Sequence, residues 1–159
     1  MKRIHTLVLY IGMLCLAFFT ACQDHLYYSH YQDMPQRQWD SNDSLYFSIP
    51  PMEHEEDVAI TLSVRTTASF RYKDIVARAE LLDGDSVISS IPMNIMLYNN
   101  RGEEASQGIL VTENYSRPQA FHMRANHHYT MRVTHLMRLN PLEEVQSVGI
   151  IVEEIVEER

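Results

Sequence analysis

Through most of this chain apolar and polar residues alternate with a period of two. Leu45, Phe47 and Ile49 alternate with Tyr46 and Ser48 until Pro50 and Pro51 stop the run, which predicts a half-buried strand over 45–49. Val58, Ile60, Leu62 and Val64 lie on one face of a second run, with Ala59, Thr61, Ser63 and Arg65 on the other. The stretch 75–82 holds helix-favouring Ala and Glu, but its shortness and its exit through Asp83-Gly84-Asp85 predict a hairpin into 86–91. Short strands are expected over 94–98 and 109–111, separated by a loop at 99–108 rich in Asn, Gly and Glu. Tyr129, Met131, Val133, His135 and Met137 alternate again, and Val148, Ile150 and Val152 mark a last strand. Between those two, Asn140-Pro141-Leu142-Glu143 offers an N-cap residue, a proline at the first helical position and an acid close behind, so one helical turn is expected there. Many short strands spaced by turn signals, with no long helical crossover, predict an all-β fold: an antiparallel sandwich or jelly roll.

The first residues break the pattern. Met1, Lys2 and Arg3 precede an almost unbroken apolar run from Leu7 to Phe19, too short for a comfortable membrane span and read as an export leader. Phe19-Thr20-Ala21-Cys22 then sets small residues directly before a cysteine, the arrangement of a lipobox, in which the thiol of the new first residue receives a diacylglyceryl group. This divides the chain into a signal peptide at 1–21, a tether at 22–38 rich in polar and aromatic residues without a period, and a sandwich domain at 39–159. The lipid on Cys22, with its fatty acyl chains, is the one covalent group expected, and no other cofactor is. Cys15 leaves with the leader, so no disulfide is available and burial of apolar surface must hold the fold.

Charge narrows the partners. Loss of Lys2 and Arg3 leaves 11 basic residues against 21 acidic ones, which disfavours nucleic acid and electrostatic docking on anionic lipid. Acyl chains must then hold the protein at the membrane, and two or more suffice.

The search for chemistry returns little. Of the eight histidines, His122, His127, His128 and His135 lie near one another in sequence, but adjacent strand residues point to opposite faces, and ordinary surface or edge histidines are expected instead of a metal site. His54-Glu55-Glu56-Asp57 lacks the alternating ligands and turn glycine of a calcium loop and reads as a solvated acidic loop. Glu103 and Glu104 have no evident partner acid, and Glu153, Glu154, Glu157 and Glu158 read as a solvated end. There is no Gly-x-Ser-x-Gly elbow, no phosphate-cradling loop and no spare thiol, so no enzymatic activity is expected. Trp39 is expected to cover the end of the core, the other reading being a sugar-stacking platform.

Three features together resemble the gliding-motility lipoprotein family GldH of the Bacteroidetes. The first is the layout of lipobox cysteine, short aromatic tether, Trp39 and the Leu45-Tyr46-Phe47 strand. The second is Val64-Arg65-Thr66 followed by Phe70-Arg71-Tyr72-Lys73-Asp74, with Asp74 standing where the family has Asn. The third is His135-Leu136-Met137-Arg138, then Leu142 and Val148-Gly149-Ile150. A family loop motif, Gly-x-Trp-x-Gly, is not matched, since no Trp lies between Gly102 and Gly108. The resemblance implies a non-catalytic envelope lipoprotein that serves a motility-associated complex through contacts with other envelope proteins. Surface-exported lipoproteins of this phylum carry an acidic cluster just after the cysteine, whereas Gln23-Asp24-His25 offers one acid, so the periplasmic face of the outer membrane is expected. The resemblance marks Arg65, Tyr72, Met137, Arg138 and Gly149 as family positions of structural character, with Arg138 expected to pair with an acid and Gly149 to permit a bulge or close approach. The alternative is a carbohydrate-binding lipoprotein, which needs Trp39, Tyr72 or Tyr115 exposed as a platform.

Overall fold

A computed structural model describes residues 25–97 and 111–155. The leader, Cys22, the loop at 99–108 with Glu103 and Glu104, and Glu157 and Glu158 lie outside the described residues.

Among the described residues, eleven strands form two packed antiparallel sheets and a small ribbon: β1 (Leu26–Asp33), β2 (Gln38–Trp39), β3 (Leu45–Ile49), β4 (Glu56–Thr67), β5 (Asp74–Asp83), β6 (Ser86–Met96), β7 (Val111–Tyr115), β8 (Gln119–Met123), β9 (Tyr129–His135), β10 (Leu142–Glu143) and β11 (Val145–Glu154). The larger sheet runs β1-β11-β4-β7, with β8 continuing along the same edge of β4. The smaller runs β3-β9-β5-β6, and β10 pairs with β2. Their inner faces share one core, built from Val58, Ile60, Leu62, Val64, Val148, Ile150 and Val152 on one side and Phe47, Ile49, Ile75, Ala77, Met131 and Val133 on the other. Apart from Ile75 and Ala77, these are the residues whose alternation predicted the strands, and the all-β sandwich follows from them.

Four expectations are corrected. Residues 26–33, read as part of the tether, form a full edge strand, with Tyr31 opposite Gly149 and Asp33 opposite Ser147. Their period was hidden because tyrosine serves both environments: Tyr27 Oη donates to the carbonyl of Pro51 at 3.0 Å while its ring packs on the core. The helical turn expected at 140–143 is absent: a cis Asn140–Pro141 peptide leads straight into β10, and the one helical turn described is a 3-10 turn at Pro35–Arg37. Asn140 does not cap a helix because its amide is committed elsewhere, accepting from Ser41 N–H at 2.7 Å and donating to Asp40 at 2.7 Å. The breaks expected around Pro92 do not occur, and 86–96 is one strand. It tolerates proline because β6 is an edge strand, where a ladder can spare the missing N–H. Finally, residues 119–123, where no strand is predicted, form β8 against β4.

Candidate functional site

β4 is an interior strand of the larger sheet, with β11 on one edge and β7 and β8 on the other, and its outward side carries Ser63 and Arg65. Pairing brings β11 to one side, with Gly149 opposite Ser63, and β7 to the other, with Tyr115 opposite Ser63 and Glu113 opposite Arg65. β1 adds Tyr31 beyond Gly149. A row of four strands thus assembles Tyr31, Gly149, Ser63 and Tyr115, with Arg65 and Glu113 beside it.

Gly149 makes the row possible. A Cβ there would lie 2.5 Å and 2.7 Å from ring carbons of Tyr31 and 2.8 Å from the His30 carbonyl oxygen. Without one, the Tyr31 ring lies flat across β11, and its hydroxyl donates to Glu113 at 2.7 Å. The same carboxylate oxygen accepts from Ser63 Oγ at 2.8 Å and faces Arg65 Nε at 3.3 Å. The Arg65 guanidinium sits 4.0 Å from the centre of the Tyr31 ring, over its electron-rich face. Burial works to raise the Glu113 carboxyl, but hydrogen bonds from Tyr31 and Ser63 and the charge of Arg65 outweigh it and hold the group below its usual range. Burial also raises Tyr31 and Tyr115, helped by the Glu113 charge, so both phenols stay protonated donors. Tyr115 is 50% exposed beside this fixed cluster. The arrangement can offer a cation, two phenols and a buttressed carboxylate to another molecule on a rigid, shallow face.

Two family positions, Arg65 and Gly149, therefore meet in one cluster, and Gly149 serves the close approach expected of it. The others lie elsewhere. Tyr72 packs edge-on to Phe70 with ring centres 5.3 Å apart and borders a shallow groove with Arg71, Glu143 and Glu144. Met137 packs against the core, its sulfur accepting from Val76 N–H at 3.4 Å. Arg138 is exposed and, contrary to expectation, makes no ion pair among the described residues. Tyr31, Ser63 and Glu113 were missed from sequence, since only the strand register brings them to Arg65.

Trp39 covers the core, 1% exposed, with its ring edge-on to His135 at 5.1 Å between centres. It therefore cannot act as a sugar platform in this form, and Tyr72 and Tyr115 stand on different parts of the molecule. His135, expected at a surface or edge, is buried. It accepts from Met137 N–H through Nδ1 at 3.3 Å and, as the Nε2–H tautomer, donates to the Trp39 carbonyl at 3.1 Å and to Asn140 at 3.2 Å. His122 lies in the open between Asp57 at 2.8 Å and Glu55 at 3.0 Å, and His127 contacts Asp83 at 2.6 Å. Among the described residues no group of three or more His, Cys, Asp or Glu is arranged to hold a metal ion, and no helix is long and apolar enough to cross a membrane.

The family model described as GldH lipoprotein matches residues 26–152. No curated protein matches the chain. Among solved structures, Eiger TNF from S. frugiperda is similar with a TM-score of 0.35 at 8% identity, over 82% of this chain and 94% of that one. A CocE/NonD family hydrolase from Staphylococcus aureus is similar with a TM-score of 0.34 at 12% identity, over 82% of this chain and 31% of the hydrolase. Dimeric latent PorU from Porphyromonas gingivalis is similar with a TM-score of 0.35 at 8% identity, over 86% of this chain and 14% of PorU. At these scores the likenesses carry no argument about what this chain does.

Proposed function

The chain belongs to the GldH lipoprotein family, and from that premise we propose that it is an accessory component of a motility-associated complex of the cell envelope, acting by contact and not by turnover. Acyl chains on Cys22 hold it at the membrane, and its place is the periplasmic face of the outer membrane. Its partners are other envelope proteins.

The observation that supports contact is the outward face around Arg65. Interface hot spots are enriched in Arg and Tyr that are held rigid before binding, and here a half-exposed arginine is fixed between Tyr31 and Glu113 beside the exposed ring of Tyr115. The test uses the acylated protein crosslinked in its own membranes. Arg65→Ala and Tyr115→Ala are each expected to lower recovery of a specific crosslinked partner at least tenfold, the scale of about 1.4 kcal/mol or more of binding. Arg65→Ala should cost little stability, because a partly exposed ion pair contributes only about 0–1 kcal/mol. Undiminished recovery with both variants overturns the reading of this face. A Cys22→Ala form is expected to fold, to stay in the soluble fraction and to leave the partner uncrosslinked.

A further inference from the structure

Leu26, the first residue of β1, stands only four positions beyond Cys22. Fully extended, four residues span at most about 14 Å. The ordered body thus begins close to the anchor, and the strand pairing dictates which part of it lies there. Leu26 opposes Glu153 at the end of β11, and His25 O accepts from Glu154 N–H at 2.9 Å. The same end holds the start of β4, the β3–β4 connection, the β5–β6 hairpin and the β8–β9 turn. Cross-links make it one rigid unit: Tyr27 to the Pro51 carbonyl, Asn126 N–H to Met52 O at 2.7 Å, and Arg124 to Asp83 at 2.7 Å. β4 spans twelve residues, so the opposite end, with the β4–β5 connection, stands about 35–40 Å away.

Resting on the anchored reading above, we propose that this end is the membrane-facing surface of the protein, and that the domain stands on the bilayer as a short rigid post with the opposite end presented away from it. The occupant of the surface is a lipid bilayer, fixed by the length of chain between anchor and strand. The short leash, and not charge, sets the orientation. The near end carries eight carboxylates, on residues 53–57, 83–85 and 153–154, against Arg124. Such an end has no electrostatic pull toward anionic headgroups and is kept in place by the leash. The outward face of the larger sheet carries the Arg65 cluster, and that of the smaller carries the Arg132–Glu80 pair at 2.8 Å beside exposed Tyr46, Ile88 and Met96. Exposed Leu26 and Ile155 sit at the attachment corner itself.

The test uses the full acylated chain in phosphatidylcholine vesicles with rhodamine-labelled headgroups. Mature protein has no free thiol, so a donor dye can be placed at one introduced cysteine on an exposed residue: Ser86→Cys or Ala125→Cys near the anchor, Ser69→Cys at the far end. Energy transfer to the membrane is expected to be at least twofold stronger at both near positions than at the far one. Inserting a long Gly/Ser segment between Asp24 and His25 should erase the difference. Equal transfer at near and far sites in protein that floats with vesicles overturns the orientation and leaves the anchor standing. Unmodified protein that fails to float overturns the anchored reading itself, and the orientation with it.

Discussion

Gly149 shows how much one missing side chain can organise. The row Tyr31, Gly149, Ser63 and Tyr115 needs an aromatic ring to cross a strand, and the crossing happens where no Cβ stands in the way. Gly149→Ala is expected to lower stability by about 1–3 kcal/mol, because the methyl meets both the Tyr31 ring and the His30 backbone. Adding Tyr31→Ala should restore only part of that loss, since the carbonyl contact remains; thermal unfolding of the single and double variants measures both. If Gly149→Ala unfolds like the unmodified protein, the crossing is unimportant to the fold. The interest of Gly149 was legible in sequence as a glycine inside an apolar strand, but its partner was not, because Tyr31 lies near the other end of the chain and only the β1–β11 register joins them.

At the scale of elements, alternation announced β3, β4, β9 and β11 because each puts aliphatic side chains on one inner face. β1 and β8 escaped because edge strands bury little and are free to use polar and aromatic residues. The turn at Asn140 escaped because a capping residue in sequence can be spent on a distant partner, and this one joins Asp40 to His135. Placing β1 in the sheet has a measurable consequence. The amides of β1 that bond to β11 are expected to exchange with deuterium far more slowly than a tether would, with protection approaching that of β11 itself. Exchange at His30 through Gln32 as fast as in a free peptide would show that β1 is detached in solution.

For the whole molecule, pH acts through groups of opposite sign. Burial lowers His135, outweighing the hydrogen bonds to Asn140 and the Trp39 carbonyl that favour its charged form. A depressed histidine contributes full stability above its unfolded value of about 6.5, and that contribution declines as pH falls below it. His122 is raised, first by its bond to Asp57 and then by Glu55, so its contribution is present below about 6.5 and is lost as pH rises through the folded value. Because His122 lies in the open, solvent screens it and His135 governs the net trend. The melting temperature is therefore expected to fall between about pH 7 and pH 5.5, on either side of the ordinary histidine value, and His135→Gln, which keeps a donor to Trp39 and Asn140 but cannot be charged, should flatten that slope. Below about pH 4.3 a further loss is expected as Glu113 is protonated through its depressed folded value.

The position of β11 has one more consequence. Among the described strands it comes last in the chain, yet it sits between β1 and β4, so the larger sheet is complete only once the chain through Glu154 is available. Folding of such a sheet is slow and waits on distant contacts. Under the exported reading proposed above, that delay keeps a nascent segment from locking into its native sheet and jamming the passage through the membrane.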